Sequence, residues 1–214
     1  MVERKLATVL FVDLVESTEL LAANDPEVVR RRVTRFFENV SRCIVTHGGT
    51  VEKFAGDAVM AAFGIPRAHE DDAERAVRSA LAIMESVADL ELEARIGVEA
   101  GEVVADDGDS TFATGEAVNI AARLQQSATP GQIHIGPGAY RLTTGSVETE
   151  DVGPLQLKGR SAPIWVWRVI GAVDRPAWVR SFEAPLVGRD AELELLSNTF
   201  ERAQRDRRAH LFTI

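Results

Sequence analysis

The chain has 214 residues, with 24 Lys and Arg against 33 Asp and Glu, a formal charge of −9 at pH 7. Its 45% hydrophobic and 27% charged content is that of a globular protein long enough to bury a core, and excludes a disordered chain. A single cysteine, Cys43, excludes an internal disulfide framework and a cysteine-rich zinc site, no apolar run reaches the roughly 20 residues of a membrane-spanning helix, and the acidic balance argues against nonspecific nucleic-acid binding.

Met-Val-Glu-Arg-Lys leads straight into strand-like sequence rather than a signal peptide, so a cytoplasmic protein is expected. Leu6 to Leu14 is a short apolar run rich in β-branched residues, the pattern of a buried strand, and it carries Asp13 at its end. Asp25-Pro26 is a helix start, with Asp at the N-cap and Pro in the first turn. Val29, Val33, Phe36, Phe37, Val40 and Ile44 follow at helical spacing, and His47-Gly48-Gly49 stops the helix. Thr50–Phe54 and Ala58–Phe63 read as a hairpin turning through Ala55-Gly56-Asp57. Asp71 and Asp72 precede a second helix with a stripe of Ala73, Val77, Leu81, Met84 and Val87.

Ala94–Ala100 and Glu102–Ala105 read as another hairpin, turning at Gly101. A third helix is expected over about 115–127, with Ala117, Ile120, Ala121 and Leu124 inward. Strands are expected at Gln132–Ile135, Val147–Val152 and Pro163–Val169. The order β-α-β-β-α-β, with additions, predicts an α+β fold with a ferredoxin-like core around an antiparallel sheet. Pro176 and Pro185 bracket a stretch without periodicity, which divides the chain into a domain over 1–170, a linker over 171–185 and a further region over 186–214. That last region holds a helix over Arg189–Arg205 and a strand at its end.

Several side chains could carry chemistry. Asp13 at a strand end and Asp57 at a hairpin tip could meet at one end of a sheet, where two carboxylates suit a hard cation; each could equally cap a turn. Lys53 lies on the strand leading to Asp57 and would ordinarily be a solvated face residue. Asn119 and Arg123 share one helix face, about 6 Å apart along the axis, and suit a sugar hydroxyl and a phosphate or simply a helix surface. Lys158-Gly159-Arg160 is a cationic turn that either meets phosphates or faces solvent. Cys43 lies near an apolar stripe and reads as core filler rather than a nucleophile. There is no G-x-x-x-x-G-K-[ST] loop, no H-E-x-x-H and no G-x-S-x-G.

Taken together, FVDLVEST, VEKFAGDAVMAAFG, TGEAVNIAARL and LKGRSAPIWVW resemble, in order and spacing, the class III adenylyl cyclase catalytic domain from about Leu6 to Val169. The resemblance implies conversion of ATP to 3′,5′-cyclic AMP and pyrophosphate, with two Mg²⁺ or Mn²⁺ ions, at two composite sites of a head-to-tail homodimer. It implies metal binding by Asp13, Asp57 and the Leu14 carbonyl, purine selection by Lys53 and ribose orientation by Asn119. Arg123 would stabilise the transition state and Lys158 would bind the triphosphate. The metal carboxylates would come from one subunit and the other side chains from its partner. Lys53 favours ATP over GTP, because adenine N1 accepts a hydrogen bond and guanine N1 donates one.

The sequence departs from the family at Phe112, seven residues before Asn119. The family usually has Asp or Thr there to accept from the adenine amino group. That departure supports a second reading, a weak or inactive nucleotide-binding dimerisation module. The last 30 residues, from Pro185, resemble the entry to a STAND/AAA-type ATPase region, which such a module would regulate.

Overall fold

In the computed structural model of the chain, the described residues are 2–15, 26–55, 58–106, 113–156, 162–173, 188 and 190–206. Two compact units are present, Met1–Arg175 and Pro176–Ile214. In chain order the first contains β1 (Val2–Leu14), α1 (Pro26–Thr46), β2 (Thr50–Ala55), β3 (Ala58–Phe63), α2 (Asp72–Ala88), β4 (Ala94–Asp106), α3 (Glu116–Ser127), β5 (Ile133–Ile135), α4 (Pro137–Thr143), β6 (Val147–Leu155) and β7 (Ile164–Ala172). The second contains α5 (Asp190–Asp206). No helix among the described residues is long and apolar enough to cross a membrane.

The fold is α+β. The seven strands form one sheet in the order β2-β3-β1-β4-β5-β7-β6, and its first four strands follow the expected ferredoxin-like core. The sheet is mixed at one contact, the parallel pair β4–β5; the other neighbouring pairs are antiparallel. β1 is central, which explains why its sequence is a continuous apolar run rather than an alternation. Leu10, Val12 and Leu14 enter the core shared with α1 and α2, while Ala7 and Val9 enter the core shared with α3.

α1 buries Val29, Phe36, Val40 and Ile44, as its spacing predicts, and Val33, Phe37 and Cys43 pack at the margin of that core. It ends where expected. Gly48 adopts φ +78°, the Gly49 amide donates to Ile44 O at 2.9 Å and the Gly48 amide to Val45 O at 2.9 Å. These bonds satisfy the last carbonyls, and the left-handed residue is one that glycine alone adopts freely. The buried face of α2 is Ala73, Ala76, Val77, Ala80, Ile83 and Val87, so the expected Leu81 and Met84 flank it rather than centre it.

The expected hairpin at Gly101 is not formed. β4 is one strand of 13 residues, paired with β1 along its whole length from Val2↔Asp106 to Leu14↔Ala94. Gly101 and Gly97 mark close approach of backbone rather than a turn, the other meaning of glycine inside a strand. A Cβ at Gly101 would lie 3.3 Å from Ala117 Cβ of α3; one at Gly97 would lie 2.2 Å from Ala121 O and 2.3 Å from the Gln125 amide nitrogen. These clashes are with helix backbone, which has no rotamer to escape into. Gly97→Ala is therefore expected to cost about 1–3 kcal/mol or more by overpacking, and to lower Tm by about 2–4 °C for each kcal/mol. A thermal melt checks this; Gly131→Ala, where no atom lies within 4 Å of the new Cβ, is the comparison for backbone strain without the clash.

α4 is not evident from the sequence because it has only seven residues. Pro137 starts it, Tyr140 stacks on Trp167 of β7 at 3.9 Å, and the Gly138 amide donates to the buried carboxylate of Glu99 at 2.8 Å. β5 carries His134, which is buried between Ser127 Oγ (3.1 Å from Nδ1) and Gln132 Oε1 (3.3 Å from Nε2). Burial, and then the Arg168 guanidinium opposite it, lower its pKa from the ordinary 6.5. The folded chain thus holds this ring neutral, while the unfolded chain protonates first as pH falls. The stability it contributes is fully present above about pH 6.5 and declines as pH drops below that toward the lowered value. His134→Gln should flatten the dependence of the urea midpoint on pH over that range, and an unchanged slope would refute the assignment.

Candidate active site

β1 presents Asp13 one residue before its end. Alternation along the strand puts it on the α3 side of the sheet, following Ala7, Val9 and Phe11. Across one neighbour, Asp13 pairs with Ala58, the first residue of β3; across the other, it pairs with Arg95, the second residue of β4. Asp13 as a whole is 9% exposed. Arg95 donates to its Oδ2 twice, from Nε at 2.8 Å and from a terminal nitrogen at 2.7 Å. Oδ1 has no hydrogen-bond partner among the described residues. Two charge-assisted bonds hold Oδ2 and leave the second oxygen available.

Leu14 anchors this strand end. Its side chain is 2% exposed in the core, and the next residue closes the turn, with the Val15 amide donating to Glu93 O at 2.8 Å. Asp57 lies outside the described residues, but its neighbour Ala58 is the residue paired with Asp13. Carboxylate and main-chain carbonyl oxygens are the donors that hard divalent cations take, and the Asp13 carboxylate with the adjacent Leu14 carbonyl is of the type that fits Mg²⁺ or Mn²⁺. Among the described residues no group of three or more metal-ligating side chains is gathered.

Lys53 belongs to β2, the edge strand, in register with Met60 just after an irregularity between Val51 and Lys53; its side chain is outside what is described. Beside it, Glu52 accepts from the Ala113 amide at 3.3 Å. The strand carrying Lys53 is thereby tied to the segment entering α3, immediately after Phe112. Phe112 itself and Lys158 lie outside the described residues.

α3 is positioned by β4. Thr114 bridges to Val104, Gly115 begins the helix at φ +146°, and Gly97 admits the backbone of Ala121 and Gln125. Burial of Ala117, Ile120, Ala121 and Leu124 turns Asn119 outward, exposed, with Arg123 half-buried on the same face. Among the described residues neither side chain makes a hydrogen bond or ion pair, with Asp13 or with any other.

Arg95 is the site residue that sequence reading misses. A lone arginine at the start of an apolar strand is the only local signal. Its role appears once register sets it opposite Asp13.

The model of the adenylate and guanylate cyclase catalytic domain family matches residues 2–169. Among curated relatives, adenylate cyclase 1 of Rhizobium meliloti is 28% identical over 187 residues, covering 79% of this chain and 28% of that protein. An uncharacterized protein of Mycobacterium tuberculosis is 37% identical over 133 residues, 59% of this chain and 25% of that one. The chain spans between 21% and 33% of the length of such relatives. Among solved structures, the adenylyl cyclase CyaB from P. aeruginosa has a TM-score of 0.75 at 28% identity, covering 83% of this chain and 98% of that one. The guanylyl cyclase Cya2 has a TM-score of 0.75 at 27% identity, covering 82% and 96%.

Proposed function

This chain belongs to the adenylate and guanylate cyclase catalytic domain family, and on that footing we propose that it is an adenylyl cyclase, converting ATP to 3′,5′-cyclic AMP and pyrophosphate at the interface of a homodimer. The observation that carries the reading is the carboxylate end of the sheet: Asp13, oriented by Arg95, beside the strand that begins next to Asp57. It is complemented by an outward-facing Asn119 and Arg123 with no partners within the described residues. A second copy would supply that helix face to the carboxylate end, so each nucleotide would lie between acids of one subunit and cations of the other.

In the reaction the ribose 3′-oxygen bonds to the α-phosphorus as the bond to the departing pyrophosphate breaks in line. When bound, Mg²⁺ or Mn²⁺ at Asp13, Asp57 and the Leu14 carbonyl lowers the pKa of the 3′-hydroxyl and neutralises charge on the triphosphate. Asp13 Oδ1 takes the hydroxyl proton or passes it to water. Asn119 holds the ribose by a hydrogen bond, Arg123 offsets the negative charge developing on the reacting phosphorus, and Lys158 holds the triphosphate tail. The supply of ATP places such an enzyme in the cytoplasm. In this reading residues 1–170 are catalytic, 171–185 connect, and 186–214 begin a STAND/AAA-type ATPase region. The apolar side chains Leu193, Leu195 and Phe200 exposed along α5 support a further packing partner for that helix.

The base specificity rests on Lys53, since an adenylyl and a guanylyl cyclase resemble this chain equally well in fold. With Mn²⁺ present, the full chain should make cyclic AMP from ATP at least tenfold faster than cyclic GMP from GTP, and Lys53→Glu should narrow or invert that ratio. Equal rates that Lys53→Glu leaves unchanged would remove Lys53 from base recognition. Phe112 favours the second reading, a weak or inactive nucleotide-binding module regulating a following ATPase. Nucleotide binding without either cyclic product would establish it.

A further inference from the structure

On the face of the sheet opposite α3, a groove of about 450 Å³ lies between the first turns of α1 and the connection from α2 to β4. Val28, Arg31, Arg32 and Arg35 line one wall, at the i, i+3, i+4, i+7 spacing of a single helix stripe, and Asp89, Leu90 and Glu91 line the other. Arg32 reaches across to Glu91 at 3.0 Å. Arg31 and Arg35 are exposed and have no ion pair or hydrogen bond among the described residues. In a chain of charge −9, three guanidiniums against the carboxylates of Asp89 and Glu91 leave this lining with a net positive charge, and Val28 and Leu90 add an apolar side chain to each wall.

The far wall is the capped end of α2. Glu91 has φ +54°, the one positive φ of a non-glycine residue among those described. The end of α2 accounts for it: the Glu91 amide donates to Ala88 O at 2.9 Å and the Leu92 amide to Val87 O at 3.2 Å, a left-handed helix cap on which the Glu91 side chain meets Arg32. Two residues on, Glu93 O accepts from the Val15 amide, and two further on Arg95 grips Asp13. The groove wall and the orientation of the Asp13 carboxylate are thus joined by five residues of one continuous segment.

We propose that this groove is a docking site for an acidic amphipathic peptide segment of a partner protein, whose carboxylates pair with Arg31 and Arg35 and compete with Glu91 for Arg32. Charge complementarity selects the acidic side chains, and Val28 and Leu90 select an apolar anchor between them. A flat anionic bilayer would not fill a concave groove, and a free phosphate would not use its apolar side chains. Occupancy releases Glu91 from Arg32.

The test uses the full 214-residue chain. A displayed library of 12-residue peptides is selected on the wild-type protein and counter-selected on Arg31→Glu/Arg35→Glu, with circular dichroism confirming that the variant folds. The recovered peptides should be rich in Asp and Glu around one or two apolar residues. By fluorescence anisotropy they should bind the variant at least tenfold more weakly. Glu91→Gln, which frees Arg32, should tighten binding. Hydrogen exchange should slow at 28–35 and 89–91 on binding. Peptides lacking acidic residues, equal affinity for the variant, protection elsewhere, or competition by inorganic phosphate or phosphatidylserine vesicles at equal charge would each overturn the proposal. Specific binding to a chain that makes neither cyclic nucleotide leaves docking standing and removes the cyclase reading. Cyclase activity without any acidic peptide recovered does the reverse.

Discussion

Asp57→Ala and Arg123→Ala are each expected to lower cyclic AMP formation by 10²-fold or more, and an equimolar mixture of the two to recover about a quarter of the wild-type rate. The single losses follow from the roles assigned. Removing one preorganised donor aimed at developing charge typically costs about 10²–10³ in turnover, and deleting a metal carboxylate removes the group that fixes the ion. The recovery follows from symmetry. A two-fold dimer has two equivalent sites, each drawing its acids from one copy and its cations from the other. Random pairing makes about half the dimers mixed. In a mixed dimer one site carries both defects and the other carries neither, so roughly a quarter of all sites are intact. The internal control is a mixture of Asp13→Ala with Asp57→Ala. Both defects then fall on the same side of every site, and nothing should be regained. Recovery in that control, or none in the first mixture with both variants folded and dimeric, would refute the shared-site arrangement. Asn119 and Arg123 pair with nothing among the described residues, Asp13 included, which is what makes the experiment discriminating.

Much of this arrangement is legible in the residues because local rules and tertiary packing agree there. The run from Leu6 to Leu14 reads as a buried strand because β1 is covered on both faces. The glycines after α1 read as a cap because they satisfy the end of that helix. Asn119 and Arg123 can be placed on the outer face of α3 because Ala117, Ile120, Ala121 and Leu124 define the inner one. What is hidden depends on partners distant in sequence. Gly101 looks like a turn locally, and only the approach of Ala117 shows that it thins a continuous strand. α4 is too short to display a period, and Tyr140 and Glu99 secure it from other elements. Arg95 has no motif of its own. It enters the site through strand register, 82 residues from the carboxylate it holds. Glu91 likewise looks like an ordinary surface acid until its positive φ and its bond to Arg32 are seen.

Removing Arg95 should damage both stability and activity, and the two effects can be separated. The Asp13 side chain is 12% exposed and that of Arg95 35%, so the pair is largely withdrawn from water at the carboxylate and only partly so at the guanidinium. Arg95→Ala would strand a nearly buried charge, at a cost of about 2–4 kcal/mol, reduced toward the lower figure by water reaching the vacated space. Asp13→Ala should cost less, because the released guanidinium can turn to solvent. The double variant should then be nearly as stable as Asp13→Ala alone, giving a coupling energy close to the cost of Arg95→Ala itself, about 2–4 kcal/mol, in a double-mutant cycle by urea unfolding. Strict additivity would show that the two bonds contribute nothing net. Activity supplies the second readout. If Arg95 acts by orienting Asp13, Arg95→Lys should keep most of the stability, since one cation still neutralises the carboxylate. It should nevertheless lose tenfold or more in turnover, because a single ammonium cannot reproduce the planar fork that aims Oδ1. Stabilisation by divalent ions checks the same point without catalysis. Millimolar Mn²⁺ should raise the Tm of the wild-type chain, less so that of Arg95→Lys, and not at all that of Asp13→Ala. A full Mn²⁺ shift in Asp13→Ala would place the ion elsewhere on the molecule.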